Sequence, residues 1–352
     1  MKKNYKWIRN TLIGVCVIFL SIITFNYHID SFNLFKKSNV NIAQDLLNGY
    51  YITGENISVN RVDNIYEPLV SGIKNNIDIL TIGSSTVMLF HKKTLLGEAK
   101  LNYYNFTDGT ARLRHYAKIF GLLNKYNVAF PRTVILGLDP WIFDEKASLA
   151  QLKNLLNNNN NNNNNNISDH SQLFNYEYTK LNILSLINQK QYLKSKKLED
   201  LKNSKNVIIS PHGGMYYPLS THKTPLNELL KNIQKGLKGC DQNNSNTKCV
   251  KYNKLNNFVE VKYLLNYLKE RDVNIIVYLN PFEPTFYNHI IKNNNFKKYN
   301  NEIVAFFKKN NIKLIGSYNP HDLKLSSDYF LDGIHLNQDG IKSILKDMQL
   351  KK

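Results

Sequence analysis

Apolar residues are arranged in two ways along this chain. Near the N-terminus they form one unbroken stretch: residues 10–29 contain no Asp, Glu, Lys or Arg, and residues 12–25 are its apolar heart. Elsewhere the apolar runs are short, at 77–82, 103–106, 133–138, 274–279 and 312–315, the length of buried strands. Between them apolar positions recur at helical spacing. Residues 111–126 carry Leu113, Ala117, Phe120 and Leu123 on one face, and 255–271 carry a wider stripe from Leu255 to Leu268. Further helices are predicted at 300–309 and 341–348. Strands alternating with helices predict an α/β fold, a three-layer α/β/α arrangement around a mostly parallel sheet. In such folds the functional site lies beyond the C-terminal ends of the strands. Ser85, Gly109, Asp139 and Asn280 all fall at those ends.

The N-terminal stretch bears on location. Twenty residues at helical rise span roughly 30 Å, one bilayer core. Lys2, Lys3, Lys6 and Arg9 precede it, and Trp7 and Tyr27 stand at its two ends as interfacial aromatics do. No small-x-small cleavage site follows. The pattern predicts an uncleaved signal anchor over residues 1–29. The N-terminus is then cytoplasmic and the rest of the chain extracytoplasmic, in a single-pass membrane protein. Residues 30–75 lack sustained periodicity and read as a membrane-proximal lead-in, with the globular domain at 76–352. Within it the alternation fails over about 144–253. That interval reads as an insertion over the functional face, and it contains the asparagine tract 157–166, too polar to build a core.

Charge adds little. Lys and Arg number 46 against 27 Asp and Glu, a net charge of +19, but lysine and asparagine are abundant throughout. No zinc-finger spacing, RNA-binding aromatic motif or helix-turn-helix pattern accompanies the charge, so nucleic acid is not an expected partner. Cys240 and Cys249 enclose a polar loop and are either a disulfide or two free thiols; two cysteines alone do not make a structural zinc site. No metal or cofactor is called for.

The candidate chemistry lies in two short motifs. Near the C-terminus, Asp332-Gly333-Ile334-His335-Leu336-Asn337-Gln338-Asp339-Gly340 puts a carboxylate three residues before an imidazole, ahead of a helix. A catalytic serine needs an imidazole base oriented by a carboxylate, and one loop delivers both here. Upstream, Gly83-Ser84-Ser85 follows a buried strand. A sharp turn there exposes a hydroxyl and aims backbone N–H groups at a developing oxyanion. Serine is also a preferred helix cap, so either serine could serve that role instead.

These motifs resemble those of the SGNH (GDSL-like) hydrolase superfamily. The C-terminal motif is similar to that family's last block, which supplies Asp and His. Gly83-Ser84-Ser85 resembles the Gly-Asp-Ser block, with Ser85 in the nucleophile position. Asn105-Phe106-Thr107-Asp108-Gly109 resembles the second block, whose glycine donates an N–H to the oxyanion. The resemblance implies Ser85, His335 and Asp332 as a catalytic triad and Gly109 as an oxyanion donor. One position departs: the third block, Gly-x-Asn-Asp, is here Gly137-Leu138-Asp139-Pro140. An ionised Asp139 accepts hydrogen bonds and does not donate them. Either Asp139, a site-lining candidate, has another job, such as orienting a neighbour or holding the strand end, or a different donor completes the oxyanion hole; Asn280 is a substitute donor or a turn residue before Pro281. His212-Gly213-Gly214 is similar to glycine-rich oxyanion loops or is a flexible loop. The anchored form resembles accessory proteins of teichoic acid D-alanylation and alginate acetylation. That likeness implies a serine acyltransferase or esterase handling acetyl-type esters on a cell-envelope polysaccharide or polymer, beside a membrane-bound O-acyltransferase. The alternative from another class is a non-catalytic envelope protein that keeps the fold to bind polysaccharide or a membrane partner.

Overall fold

The computed structural model describes residues 2–29, 40–54, 65–109, 111–144, 148–157, 173–188, 193–218, 224–242, 258–292 and 294–346. Among them nine strands follow in chain order: β1 (Tyr51–Thr53), β2 (Ile79–Ile82), β3 (Tyr103–Asn105), β4 (Thr133–Gly137), β5 (Leu193–Ser195), β6 (Ile208–Ile209), β7 (Met215–Tyr216), β8 (Asn274–Leu279) and β9 (Lys313–Gly316). The helices are α1 (Lys2–Ile29), α2 (Val40–Leu47), α3 (Glu67–Ser71), α4 (Lys92–Leu96), α5 (Leu113–Lys125), α6 (Leu149–Leu156), α7 (Tyr176–Asn188), α8 (Leu226–Gln242), α9 (Phe258–Lys269), α10 (Pro284–Ile290), α11 (Asn294–Lys309) and α12 (Gln338–Leu345).

The five predicted apolar runs form one sheet in the order β3-β2-β4-β8-β9, and every neighbouring pair is parallel. The molecule is thus an α/β protein with a parallel central sheet. Both faces are apolar, as a fully covered parallel sheet requires. Leu80, Ile82, Val134, Leu136 and Val277 belong to one core cluster with Phe120 of α5, Leu264 of α9 and Phe307 of α11. Ile79, Ile135, Ile276 and Tyr278 belong to a second, with Leu95 of α4 and Ile341 and Ile344 of α12. The strand order brings the ends of β2, β4 and β8 side by side, and the candidate residues follow those ends.

Two sequence expectations are revised. Part of the lead-in is core: Ile42, Ala43 and Leu46 of α2, Ile52 of β1, and Ile65, Tyr66, Leu69 and Val70 are all buried. The stretch 144–253 is also not one separate insertion. α6 lies against α5, where the Asn124 amide donates to the Leu156 carbonyl at 2.7 Å. Residues 193–216 add three short strands to β1, making a second sheet, β5-β1-β6-β7, with antiparallel pairing. Strands of two or three residues are too short to show alternation in the sequence. Cys249 and all of the asparagine tract beyond Asn157 lie outside the described residues. Over Tyr5–Ile29, α1 is long and apolar enough to cross a membrane, 18 consecutive residues of it having a mean hydropathy of 2.0.

Candidate active site

The turn after β2 is built by close packing. A Cβ on Gly83 would lie 2.4 Å from a Val87 methyl and 3.2 Å from the Gly137 backbone, so only glycine lets the ends of β2 and β4 approach this closely. The chain then enters a single 3₁₀ turn, Ser85–Val87. Ser84 is its cap, its hydroxyl oxygen accepting from Thr86 N–H at 3.4 Å. The capping reading therefore belongs to Ser84, which is fully buried, and Ser85 is free of it. From the other side Asn105 holds this segment, donating to the carbonyls of Val87 at 2.9 Å and Phe90 at 3.1 Å.

Ser85 Oγ lies 2.7 Å from Nε2 of His335, although 250 positions separate them in sequence. Nδ1 of His335 lies 2.9 Å from Asp332 Oδ2, and Asp332 Oδ1 accepts from the N–H groups of Ile334 (2.8 Å) and His335 (2.9 Å). Burial acts to raise the Asp332 carboxyl. The His335 ring and the two N–H bonds outweigh it and hold the pKa at about 2. An ionised carboxylate only accepts, so Nδ1 carries the imidazole proton and, in the neutral ring, Nε2 accepts from the Ser85 hydroxyl. The three predicted residues form one serine–imidazole–carboxylate line.

The loop carrying Asp332 and His335 is held along its length. Gly333 C=O accepts from Glu283 N–H at 3.1 Å, and His335 C=O accepts from Leu331 N–H at 2.8 Å. Glu283, fully buried, caps α10 by accepting from Phe286 N–H at 2.8 Å, and it accepts from Ser327 Oγ at 2.6 Å. Asn337 caps α12, accepting from Asp339 and Gly340 N–H. Behind the loop, a cavity of about 230 Å³ is bordered by Leu229 and Ile233 of α8, Phe286 of α10, and Asp332.

Asn280 does not have the predicted donor role. Its amide hydrogens go to the carbonyls of Pro281 (2.9 Å) and Ile334 (2.7 Å), and its oxygen accepts from Tyr278 OH at 3.0 Å. With all three bonds engaged it is a tie between β8 and the Asp332–His335 loop. Asp139 is engaged with the residues of the serine turn. Its Oδ2 accepts from the hydroxyl of Ser84, in a very short contact, and from that of Thr86 at 3.3 Å. These are the two residues flanking Ser85. Burial pushes the Asp139 carboxyl up to about 6, against the pull of those hydroxyls and of the nearby His335 ring.

Gly109 stands on a turn next to the serine turn, joined to it by Asp108 N–H donating to Gly83 C=O at 3.1 Å. Among the described residues, neither Gly109 N–H nor Ser85 N–H has an acceptor. His212-Gly213-Gly214 has a packing role instead. Asn105 N–H donates to His212 C=O at 2.7 Å, and Gly213, at φ +86°, sits where a Cβ would be 2.2 Å from the Asn105 carbonyl. Tyr217 is edge-on to His335 with ring centroids 6.5 Å apart, and Tyr287 is buried against Phe296. The Ser84–Asp139 and Glu283–Ser327 contacts carry no sequence signal, because each joins residues distant in sequence.

Comparison with protein-family models gives no match, and comparison with curated proteins gives none.

Proposed function

We propose that this protein is a membrane-anchored, extracytoplasmic serine acyltransferase or esterase of the SGNH type, with that family's three-layer arrangement. Its substrates on this reading are acetyl-type esters of a cell-envelope polysaccharide or polymer, handled beside a membrane-bound O-acyltransferase. The single observation that carries the reading is the line from Ser85 Oγ through His335 to Asp332, with contacts of 2.7 and 2.9 Å. The compartment rests on α1 and its basic flank.

The chemistry follows from the line. Ser85 Oγ attacks the acyl carbonyl as Nε2 of His335 takes its proton. The oxyanion is met by the N–H groups of Ser85 and Gly109. Asp332, held ionised, stabilises the imidazolium and keeps its tautomer. His335 then protonates the leaving alcohol, giving an acyl-enzyme. An acceptor hydroxyl or water, deprotonated by His335, attacks that ester and frees Ser85.

A fluorophosphonate probe tests this on the full chain in detergent. Labelling is expected to disappear in Ser85→Ala and to persist in Ser84→Ala, whose hydroxyl is buried under Asp139. A wild-type chain that takes no label favours the non-catalytic binding protein.

A further inference from the structure

α1 is not alone at its C-terminal end. Asn26 lies within the apolar stretch and is completely buried there, whereas most of α1 is exposed. Its amide nitrogen donates to the Leu173 carbonyl at 2.7 Å and to Thr179 Oγ1 at 2.8 Å, and its oxygen accepts from Asn182 Nδ2 at 3.0 Å. Every polar group of that side chain is therefore satisfied by residues 173–182, from the start of α7 and the turn before it. Below this lock the Phe174 ring meets Phe19, with centroids 6.2 Å apart.

The depth of these contacts is set by helix geometry. At 1.5 Å per residue, Asn26 is about 4.5 Å and Phe19 about 15 Å inside the Ile29 end of α1. The Phe174 ring, within one ring contact of Phe19, is then at least ~9 Å inside that end, in the hydrocarbon of a bilayer whose core is roughly 30 Å thick. Phe174, Tyr176 and Ile183 are each at least 45% exposed in the protein alone. Lipid would cover them, and an asparagine at that depth needs its hydrogen-bonding groups satisfied within the protein.

We propose that residues 173–183 are a second membrane-contacting element. The turn at Phe174 enters the leaflet at the C-terminal end of α1, α7 lies at its surface, and the Asn26 lock fixes how the domain faces the bilayer. This rests on reading α1 as a membrane span.

The test uses the full chain in lipid nanodiscs, in a Cys16→Ser, Cys240→Ser, Cys249→Ser background. An environment-sensitive fluorophore is attached through Phe174→Cys, Ile183→Cys, Ile18→Cys or Lys235→Cys, one at a time, and quenched by lipids with a mid-chain nitroxide. Quenching at 174 is expected to match that at 18 and to exceed that at 235 several-fold, with an intermediate value at 183. Adding Asn26→Val should lower quenching at 174 to the level at 235 and leave 18 unchanged. Strong quenching at 18 with none at 174 or 183 overturns the proposal and leaves the span intact. No quenching at 18 removes the span itself, and the proposal with it.

Discussion

Two carboxylates near Ser85 are driven in opposite directions by their surroundings. Asp332 is held at about 2 by His335 and two N–H groups despite its burial. Asp139 is raised to about 6 by burial, which outweighs two hydroxyls and the His335 ring. Such a separation lets one acid stay ionised to support an imidazolium while the other takes up a proton near neutral pH. For Asp139 the consequence for stability is a definite sign. A carboxyl whose pKa is higher folded than unfolded binds more protons in the native state, so its contribution is full below about 4 and is lost as pH rises through about 6. Asp139→Asn keeps an acceptor for Ser84 and Thr86 without the ionisation. Thermal unfolding should show it more stable than wild type at pH 8, by on the order of 2–3 kcal/mol, with the difference closing by pH 4. A difference independent of pH would contradict this account of Asp139. Of these residues Ser85, His335 and Asp332 were legible in the sequence, because local spacing and a turn after a strand announce them. For Asp139 and Asn280 the sequence offered alternatives without choosing between them, since the partner that decides each lies more than fifty residues away.

At the scale of elements, the small sheet supports the serine-bearing segment. Met215 N–H of β7 donates to Met88 C=O at 2.8 Å, and Tyr216 stacks on His91 with centroids 3.7 Å apart and planes 4° from parallel. His91 is buried with no hydrogen-bond partner for either ring nitrogen among the described residues, and burial lowers its pKa to about 3. The unfolded chain therefore binds a proton that the native state refuses, and stability falls as pH drops from about 6.5 towards 3. His91→Phe preserves the stack and removes the proton site. Its melting temperature should exceed wild type by more at pH 5 than at pH 7, with the extra gain roughly 2 kcal/mol. An equal offset at both pH values would mean that His91 titrates freely in the folded protein. The parallel strands were readable because each is a continuous apolar run. The strands of the small sheet were not, because segments of two or three residues such as Ile208-Ile209 carry no period, and β6 pairs with β1 across more than 150 positions of sequence.

For the whole molecule, a parallel sheet gathers its strand ends at one edge, and the topology brings residues 83–85, 139 and 280 to the loop at 332–335. The Asn26 lock joins residues 173–182 to the N-terminal helix, which is long and apolar enough to cross a membrane. The alternation of strands and helices made the sheet and its C-terminal edge visible in advance, whereas the burial of residues such as Leu46, Ile52, Leu69 and Val70 in the core was hidden by a lack of periodicity. The central claim is that Ser85 carries an acyl group during turnover. The direct measurement is mass spectrometry of the purified full chain after brief exposure to an activated acetyl ester and acid quenching. The account predicts one acetyl group on the peptide containing Ser85, absent from Ser85→Ala and greatly diminished in His335→Ala. An unmodified Ser85 peptide under conditions that acetylate surface lysines would contradict it.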